Sequence, residues 1–403
     1  MSIRQAFNVQ SPFKPIPNLL GQKRFGIPMP AVLLAMVFRA LLGGGSLQKF
    51  EENWNQDPVK PYILGYREKL THRLLGRNLK RILPNNIRKI VLNRAKYLYS
   101  QGLIRARKVA IDSSPIHVDG NKYQKMGILR KGKEVFKGYK LSVAFDVESK
   151  VPLGYIISSL NVHDSQHLIP LIKMVQSEFN SSIREVFIDR GYYGAEFFQF
   201  LDNAGIRFVT PGKRYKNLKK LLEGINLSNL KFDKRLGLSY QVTKYWIPKF
   251  GPVRCVVILN EKYKNWFPDD IKSDQFWVLI SNDFKKSPKN LIQAYRSRWQ
   301  IEVFFQGLKG EMGLEKLPGR DFRIVQTHIG SVFLAYLLLV QIHLDPSDSG
   351  EIHQIRVKTW VERYIHFDCS VVLRGKTIFF EISDNHPLLG ENIPINALGG
   401  EIE

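Results

Sequence analysis

The residues KVAID, Lys108–Asp112, followed by SSP to Pro115, mark where the character of the chain changes. A β-branched, apolar run that stops on a carboxylate predicts a strand ending at Asp112, and the C-terminal ends of strands are where open α/β sheets place their chemistry. Further along, YKLSVAFDV (Tyr139–Val147) and PLGYIISSL (Pro152–Leu160) alternate at the period of a strand, and the residues Glu148 to Val151 between them predict a hairpin. A helix from about Ser165 to Glu178 should cover this hairpin. The run REVFID, Arg184–Asp189, then repeats the first arrangement. It closes on Asp189, with the glycine turn RGYYG behind it, a helix expected over Ala195–Asn203 and a short strand over Ile206–Val209. Two strands ending in aspartate, with helices between strands, make an α/β fold the expectation.

Beyond them, about 212–283 reads as a β-rich insertion, with YQVTKYWI (Tyr240–Ile247), VRCVVILN (Val253–Asn260) and many lysines in its turns. After the strand FWVLIS (Phe276–Ser281), Ser287 and Pro288 form an N-cap with proline at the first helical position. The helix they start carries YRSRWQIEVFFQGLK, Tyr295–Lys309. At roughly 100° per residue, Tyr295, Arg298, Glu302 and Lys309 fall within about 60° of one another. Ile301, Phe304, Phe305 and Leu308 occupy an adjoining arc that can dock on a core. The polar stripe is either a ladder of surface ion pairs or a site for a polyanion. An apolar helix from roughly Arg323 to His343 and an alternating tail, CSVVLRGKTIFFEI (Cys369–Ile382), complete the pattern.

Charge favours the polyanion. The chain carries 60 Lys and Arg against 36 Asp and Glu, a net of +24. Residues 1–108 hold 20 basic and 4 acidic side chains, +16 of that excess. Duplex DNA or RNA is the usual partner for such a surface, and a membrane face the weaker one. After a Pro-rich leader ending near Pro30, the first hundred residues lack strand alternation and read as helical. Arg73, Arg77, Lys80, Arg81, Arg88, Lys89, Arg94 and Lys96 are interleaved there with Leu and Ile. They form a phosphate-binding face or a solvated one. The two cysteines, Cys255 and Cys369, lack the spacing of a zinc finger or a disulfide framework, so the chain reads as cytosolic. The apolar runs near Met29 and from Ser331 are too short to cross a bilayer and read as core helices.

Asp112, Asp189 and Glu302 are then the candidates for catalysis. Two divalent ions about 4 Å apart need oxygen donors of this kind, because hard Mg²⁺ prefers oxygen and keeps positions open for water and phosphate. Without metal, three clustered anions repel. Asp119, Asp146 and Asp164 read as turn or cap residues, with Asp146 and the His163–Asp164 pair as rivals for a metal position. His163 reads as a corner residue rather than a ligand.

The order Asp112, Asp189 within DRGY, and then the Tyr, Arg, Glu, Lys spacing resembles the DDE transposases of bacterial insertion sequences, of the insertion sequence 4 type. The resemblance covers roughly residues 105–345, and all four helix positions match. It implies a ribonuclease H-like catalytic domain over 105–345 with the β-rich insertion inside it, a helical basic DNA-binding region over 1–104 and a C-terminal region over 346–403. It implies two Mg²⁺ ions on Asp112, Asp189 and Glu302, with Mn²⁺ as a substitute. Tyr295, Arg298 and Lys309 would hold end phosphates, and Arg73, Arg77, Lys80, Arg81, Arg88 and Lys89 would serve end recognition. Trp299 either stacks on an unpaired base or is a core aromatic. The implied protein is a homodimer on paired transposon ends, bound to target DNA on the bacterial nucleoid in the cytoplasm. A non-cleaving DNA-binding protein and a metal-dependent nuclease without strand transfer share these features and stay open beside it.

Overall fold

A computed structural model describes residues 27–56, 69–180, 183–259 and 275–343, together with the strands of a small sheet between 369 and 401. The Pro-rich leader before residue 27, residues 66–68 and most of 346–403 lie outside the described residues.

The expected α/β architecture is present. The strands β1 (Lys108–His117), β3 (Glu134–Asp146) and β4 (Val151–Ser159) form an antiparallel set with β3 in the middle. The hairpin between β3 and β4 turns at Lys150, whose φ of 56° lies in the left-handed region. On its other edge β1 pairs in parallel with β5 (Glu185–Ile188), and β5 in parallel with β6 (Arg207–Pro211). The strand expected over 206–209 is therefore shifted by one to two residues. A strand not anticipated, β2 (Gly127–Lys131), extends β3 at its N-terminal end.

The insertion is not a separate sheet. Its strands β7 (Lys231–Asp233), β8 (Leu238–Ile247), β9 (Gly251–Leu259) and β10 (Phe276–Ser281) join the main sheet, because β10 pairs antiparallel with β6. The sheet order is β2-β3-β1-β5-β6-β10-β9-β8-β7, with β4 on β3. The continuously apolar, buried run of β10 explains the continuity. Val278, Leu279 and Ile280 are all buried, so β10 is an interior strand.

The N-terminal helices form as expected: α1 (Met29–Leu41), α2 (Leu47–Asn55), α3 (His72–Leu79) and α4 (Pro84–Ser100). They share one core with the sheet, since α1 and α4 pack on the long helix α10 (Phe322–His343), and α4 also packs on β4. Helix α1 is buried along nearly its whole length. Arg94, read as one of the basic-face residues, is 1 % exposed and belongs to the core. The physical reason is phase: Ile87, Ile90, Val91, Ala95 and Leu98 bury one side of α4, and Arg94 lies among them.

The ten-residue apolar run from Ser331 sits within α10, of which Phe322–Val340 is long and apolar enough to cross a membrane by length and composition. In this fold 83 % of that window is buried against the rest of the protein, as in a core helix. The remaining helices are α5 (Leu168–Phe179), α6 (Ala195–Asn203), α7 (Lys216–Glu223), α8 (Pro288–Arg296) and α9 (Trp299–Gly310). The tail run forms β11 (Cys369–Arg374) and β12 (Thr377–Ile382), paired antiparallel.

Candidate active site

Register places the two aspartates side by side. The parallel ladder of β1 and β5 ends at Ile111 opposite Ile188, and the next residue on each strand is Asp112 and Asp189. Partners in a parallel ladder face the same way, so the two carboxylates leave the sheet on one face, on strands about 4.8 Å apart. β5 ends there in a tight turn, Arg190–Tyr192. β1 does not end, contrary to the expectation from KVAID. It continues to His117 because its antiparallel partner β3 is longer and holds Ser113 to His117 in the ladder.

The helix expected to run unbroken through Tyr295–Lys309 is two helices, α8 and α9, with a bend at Ser297 and Arg298. The Ser297 hydroxyl donates to the Ala294 carbonyl at 2.6 Å. Tighter bonds, Arg298 N–H to the Tyr295 carbonyl and Ile301 N–H to the Arg298 carbonyl, each 3.0 Å, carry the chain through the bend. Both bend residues keep right-handed helical angles, so the polar stripe keeps its phase. Glu302 consequently lies in the first turn of α9, where the helix dipole favours an anion.

Arg298 is the centre of the site. One guanidinium nitrogen donates to Asp112 Oδ2 at 2.8 Å and the other to Glu302 Oε1. Its charge also lies 5.7 Å from the centroid of the Tyr295 ring. Burial works against that charge, but Tyr295, Asp112 and Glu302 outweigh it and hold the guanidinium above its ordinary pKa. Burial acts in the opposite sense on Asp112, whose carboxyl is pushed up to about 6. Asp189 adds to that rise, while Arg298 and the Ser113 N–H oppose it. Tyr295 is buried against Trp277, ring centroids 5.7 Å apart, and burial raises its hydroxyl, which is thus a neutral donor.

Lys309 lies further along β1. Its ammonium donates to the Pro115 carbonyl at 2.6 Å and pairs with Glu315 at 3.2 Å. Glu315 in turn accepts the His117 N–H at 3.1 Å. Helix α9 therefore runs along β1, with Arg298 and Glu302 over Asp112 and Lys309 three residues on, roughly 10 Å away. Trp299 is 55 % exposed, which removes the core-aromatic alternative. Arg73, Arg77, Lys80, Arg81 and Lys89 are exposed and Arg88 half-buried, all of them on or after the N-terminal helices α3 and α4 rather than at the carboxylates.

The rivals for a metal position are accounted for. Asp146 is buried and accepts from Ser149 Oγ at 2.6 Å and from the N–H groups of Arg105, Ala106 and Glu148, so it closes a turn. Asp164 pairs with Lys140 at 2.7 Å. His163 caps the turn before α5 by accepting from the Ser165 N–H, the corner role expected of it.

A buried chain of hydroxyls beneath the aspartates carried no sequence signal beyond the tyrosine of DRGY. Tyr192 OH and Ser113 Oγ are 2.8 Å apart, Ser113 and Ser142 Oγ 2.6 Å, and Ser142 Oγ and His167 Nδ1 2.7 Å. This network ties the turn after Asp189 to the strand that carries Asp112 and to β3. Only the register of β1 on β3, which pairs Ser113 with Ser142, could have announced it.

The donor set suits a hard divalent cation: carboxylate oxygens, no thiol or imidazole, and an Asp112 whose burial makes its anion costly even with Arg298 beside it. Asp112 and Glu302 are held on either side of the Arg298 guanidinium rather than drawn with Asp189 into a single cluster. Among the described residues no three His, Cys, Asp or Glu side chains are gathered as metal ligands. Arg298 lies between Asp112 and Glu302 and pairs with both.

The site is thus a mixed sheet that presents two adjacent aspartates at the end of a parallel ladder, faced by a helix with Arg, Glu and Lys. Residues 105–338 match the family described as Transposase DDE domain, and the chain belongs to that family. It is 25 % identical over 242 residues to a Sinorhizobium fredii protein named as a transposase, y4zB, covering 58 % of this chain and 60 % of that one. It is also 25 % identical over 210 residues to a Geobacillus stearothermophilus protein named as a transposase for insertion sequence element IS5377, covering 50 % and 48 %. The chain thus spans about half to three fifths of the length of these relatives. Among solved structures it matches the piggyBac transposase synaptic complex with hairpin DNA at a TM-score of 0.47 and 11 % identity, over 82 % of this chain and 68 % of that one.

Proposed function

We propose that the protein is a DNA transposase of the insertion sequence 4 type with a ribonuclease H-like core, cutting at the ends of its element and joining them to target DNA. The observation that carries this reading is that Asp112 and Asp189 directly follow the last pair of the parallel ladder while Arg298 bridges Asp112 to Glu302. Asp112, Asp189 and Glu302 would hold two Mg²⁺ ions, with Mn²⁺ as a substitute; when bound, the metal supplies Lewis acidity at the phosphate and an activated water. The chain's own residues bind and orient. Arg298, freed from a carboxylate, offers a two-pronged donor that matches a phosphate, and Lys309 offers a point charge. The neutral Tyr295 hydroxyl donates without adding charge, and Trp299 presents an exposed indole on which a base can stack, at about 1–3 kcal/mol.

The wider organisation belongs to the same proposal: end recognition by the basic N-terminal 1–104, catalysis by 105–345, action as a homodimer on paired ends, and residence on the bacterial nucleoid. A nuclease without strand transfer shares the same carboxylates. The experiment incubates purified protein with Mg²⁺, a labelled duplex carrying its own element's end and a supercoiled plasmid, with Glu302→Gln as control. Cleavage and joining are expected, both lost in the variant while end binding persists. Cutting without joining supports the nuclease instead, and binding without cutting a non-cleaving DNA-binding protein.

A further inference from the structure

The basic face of α3 does not stop at the end of that helix. Arg77 and Lys80 are exposed on one side of it, with Leu75 and Leu79 buried on the other, and Arg81 is exposed just beyond. The exposed Arg323, at the start of α10 and some 240 residues later in the chain, donates from Nη1 to the Lys80 carbonyl at 3.3 Å. Its guanidinium is thereby held at the end of the α3 face.

The surface continues from there toward the catalytic strand. Arg320 is exposed, and its carbonyl accepts the Gln124 N–H at 3.0 Å, while Gln124 Oε1 accepts the Phe322 N–H at 3.2 Å. Gln124 is itself anchored, its carbonyl taking the Tyr139 hydroxyl at 2.6 Å. These bonds seat the loop between β1 and β2 against Arg320–Arg323. They bring the exposed Lys125 to within 5.3 Å of the Phe322 ring centroid. Lys125 holds a φ of 57°, a conformation that L residues adopt at some cost. The same loop begins where β1 ends, at His117, which Glu315 and Lys309 tie to α9.

Acidic groups nearby are mostly engaged or peripheral. Asp321 turns back onto the Arg323 N–H at 2.9 Å as a helix cap, and Glu315 is satisfied by Lys309 and the His117 N–H. Asp119 is the exposed acid of the loop. Contacts between three segments distant in sequence, the Arg323 bond to Lys80, the Gln124 bonds to Arg320 and Phe322 and the Lys125 contact with Phe322, thus gather these cations on one surface, and among the described residues none of them pairs with a carboxylate.

We propose that Lys125, Arg320 and Arg323 extend Arg77, Lys80 and Arg81 into one track for the phosphate backbone of a DNA duplex, leading from α3 to the end of β1. The inference rests on the transposase reading for its partner but adds a surface outside the carboxylate site. Duplex DNA carries one charge per about 1.7 Å of axis, so a line of six cations can meet successive phosphates, and the contacts carry no sequence preference.

The test uses the full chain, a 30-base-pair duplex of mixed sequence, and binding measured from 50 to 200 mM KCl. The track variant is Lys125→Gln, Arg320→Gln, Arg323→Gln. The control, Lys216→Gln, Lys219→Gln, Lys220→Gln, removes the same charge from exposed positions on and around α7. Melting temperatures check that both fold. Each lost phosphate contact should lower the slope of log affinity against log salt by about 0.9. Over this salt range the wild type should therefore lose roughly forty-fold more affinity than the track variant, and the control should follow the wild type. An unchanged slope in the track variant, an equal change in both variants, or no duplex binding by the wild type overturns the track. The transposase reading fails on a different result: a wild type that binds through this track but neither cuts nor joins its element's ends.

Discussion

Two arginines, one half-buried and one fully buried, show how differently this fold uses the same side chain. Arg298 forks two carboxylates over the interior strand β1, with its charge reinforced by them. Arg39, fully buried where α1 meets α10, has only neutral partners among the described residues. It donates to the Lys316 carbonyl at 2.7 Å, to the Gly45 carbonyl and to His328 Nδ1 at 3.0 Å. His328 accepts that bond on Nδ1, so its proton sits on Nε2 and is given to the carbonyls of Gly313 and Leu314 at 3.2 and 3.1 Å. Burial lowers Arg39 to about 10 and, with the Arg39 charge beside it, lowers His328 to about 3. One arginine is a clamp that satisfies backbone carbonyls. The other keeps anions together that would otherwise separate, and could trade them for a phosphate.

The clamp joins the glycine loop Gly43–Gly45 to the turn after α9. A Cβ on Gly313, whose φ is 64°, would lie 2.5 Å from the Gly43 carbonyl oxygen, so backbone meets backbone there. Arg39→Met should therefore give the largest loss. It leaves a buried imidazole nitrogen and two part-buried carbonyls unpaired, at about 1–3 kcal/mol for the buried nitrogen and less for each carbonyl. A fall of about 4 kcal/mol in unfolding free energy, measured in urea, is expected, with cleavage retained at low temperature. Loss of cleavage with the fold intact would place Arg39 in the site and erase the contrast.

Arg298→Ala should do the reverse. Removing a charge positioned for the reacting phosphate costs on the order of 10²-fold in rate, about 2.7 kcal/mol. End binding should weaken as well, while the urea midpoint moves little. Arg298→Lys should recover less than half of that loss, because a point charge cannot fork two oxygens. Full recovery by lysine would mean that charge alone matters there.

The two arginines also differ in how far they could be read from the chain. Arg298 stood out because its spacing from Tyr295, Glu302 and Lys309 repeats at helical period, and that phase survives the bend at Ser297. The bend was not legible, since it depends on one hydroxyl choosing the Ala294 carbonyl. Arg39 carried no signal: its partners lie 6 to 289 residues away and are mostly backbone. Asp112 and Asp189 were visible as ends of apolar runs, but the length of β1 was set by β3, a partner chosen in three dimensions. The same limit hid the insertion's place in the main sheet. Alternation reveals a strand, whereas which edge it joins depends on long-range packing.

Asp112 gives the smallest and sharpest comparison, because its stability and its service to the site pull apart. Its carboxyl sits at about 6 in the fold against an ordinary 3.8, so the folded state holds the proton longer than the unfolded chain. Well below pH 3.8 both states are protonated and the residue is neutral to stability. As pH rises through 3.8 toward 6 the unfolded chain ionises first, stability falls, and above 6 the loss is complete. Two pH units correspond to about 3 kcal/mol, and with the side chain 20 % exposed roughly 1–2 kcal/mol of that should survive screening. Asp112→Asn carries no such loss. In EDTA the variant should match the wild type well below pH 3.8 and exceed it by about 1–2 kcal/mol at pH 8, with cleavage abolished in Mg²⁺. If the two proteins unfold together at pH 8, Arg298 compensates Asp112 in full, and the site is as settled electrostatically as the clamp around Arg39.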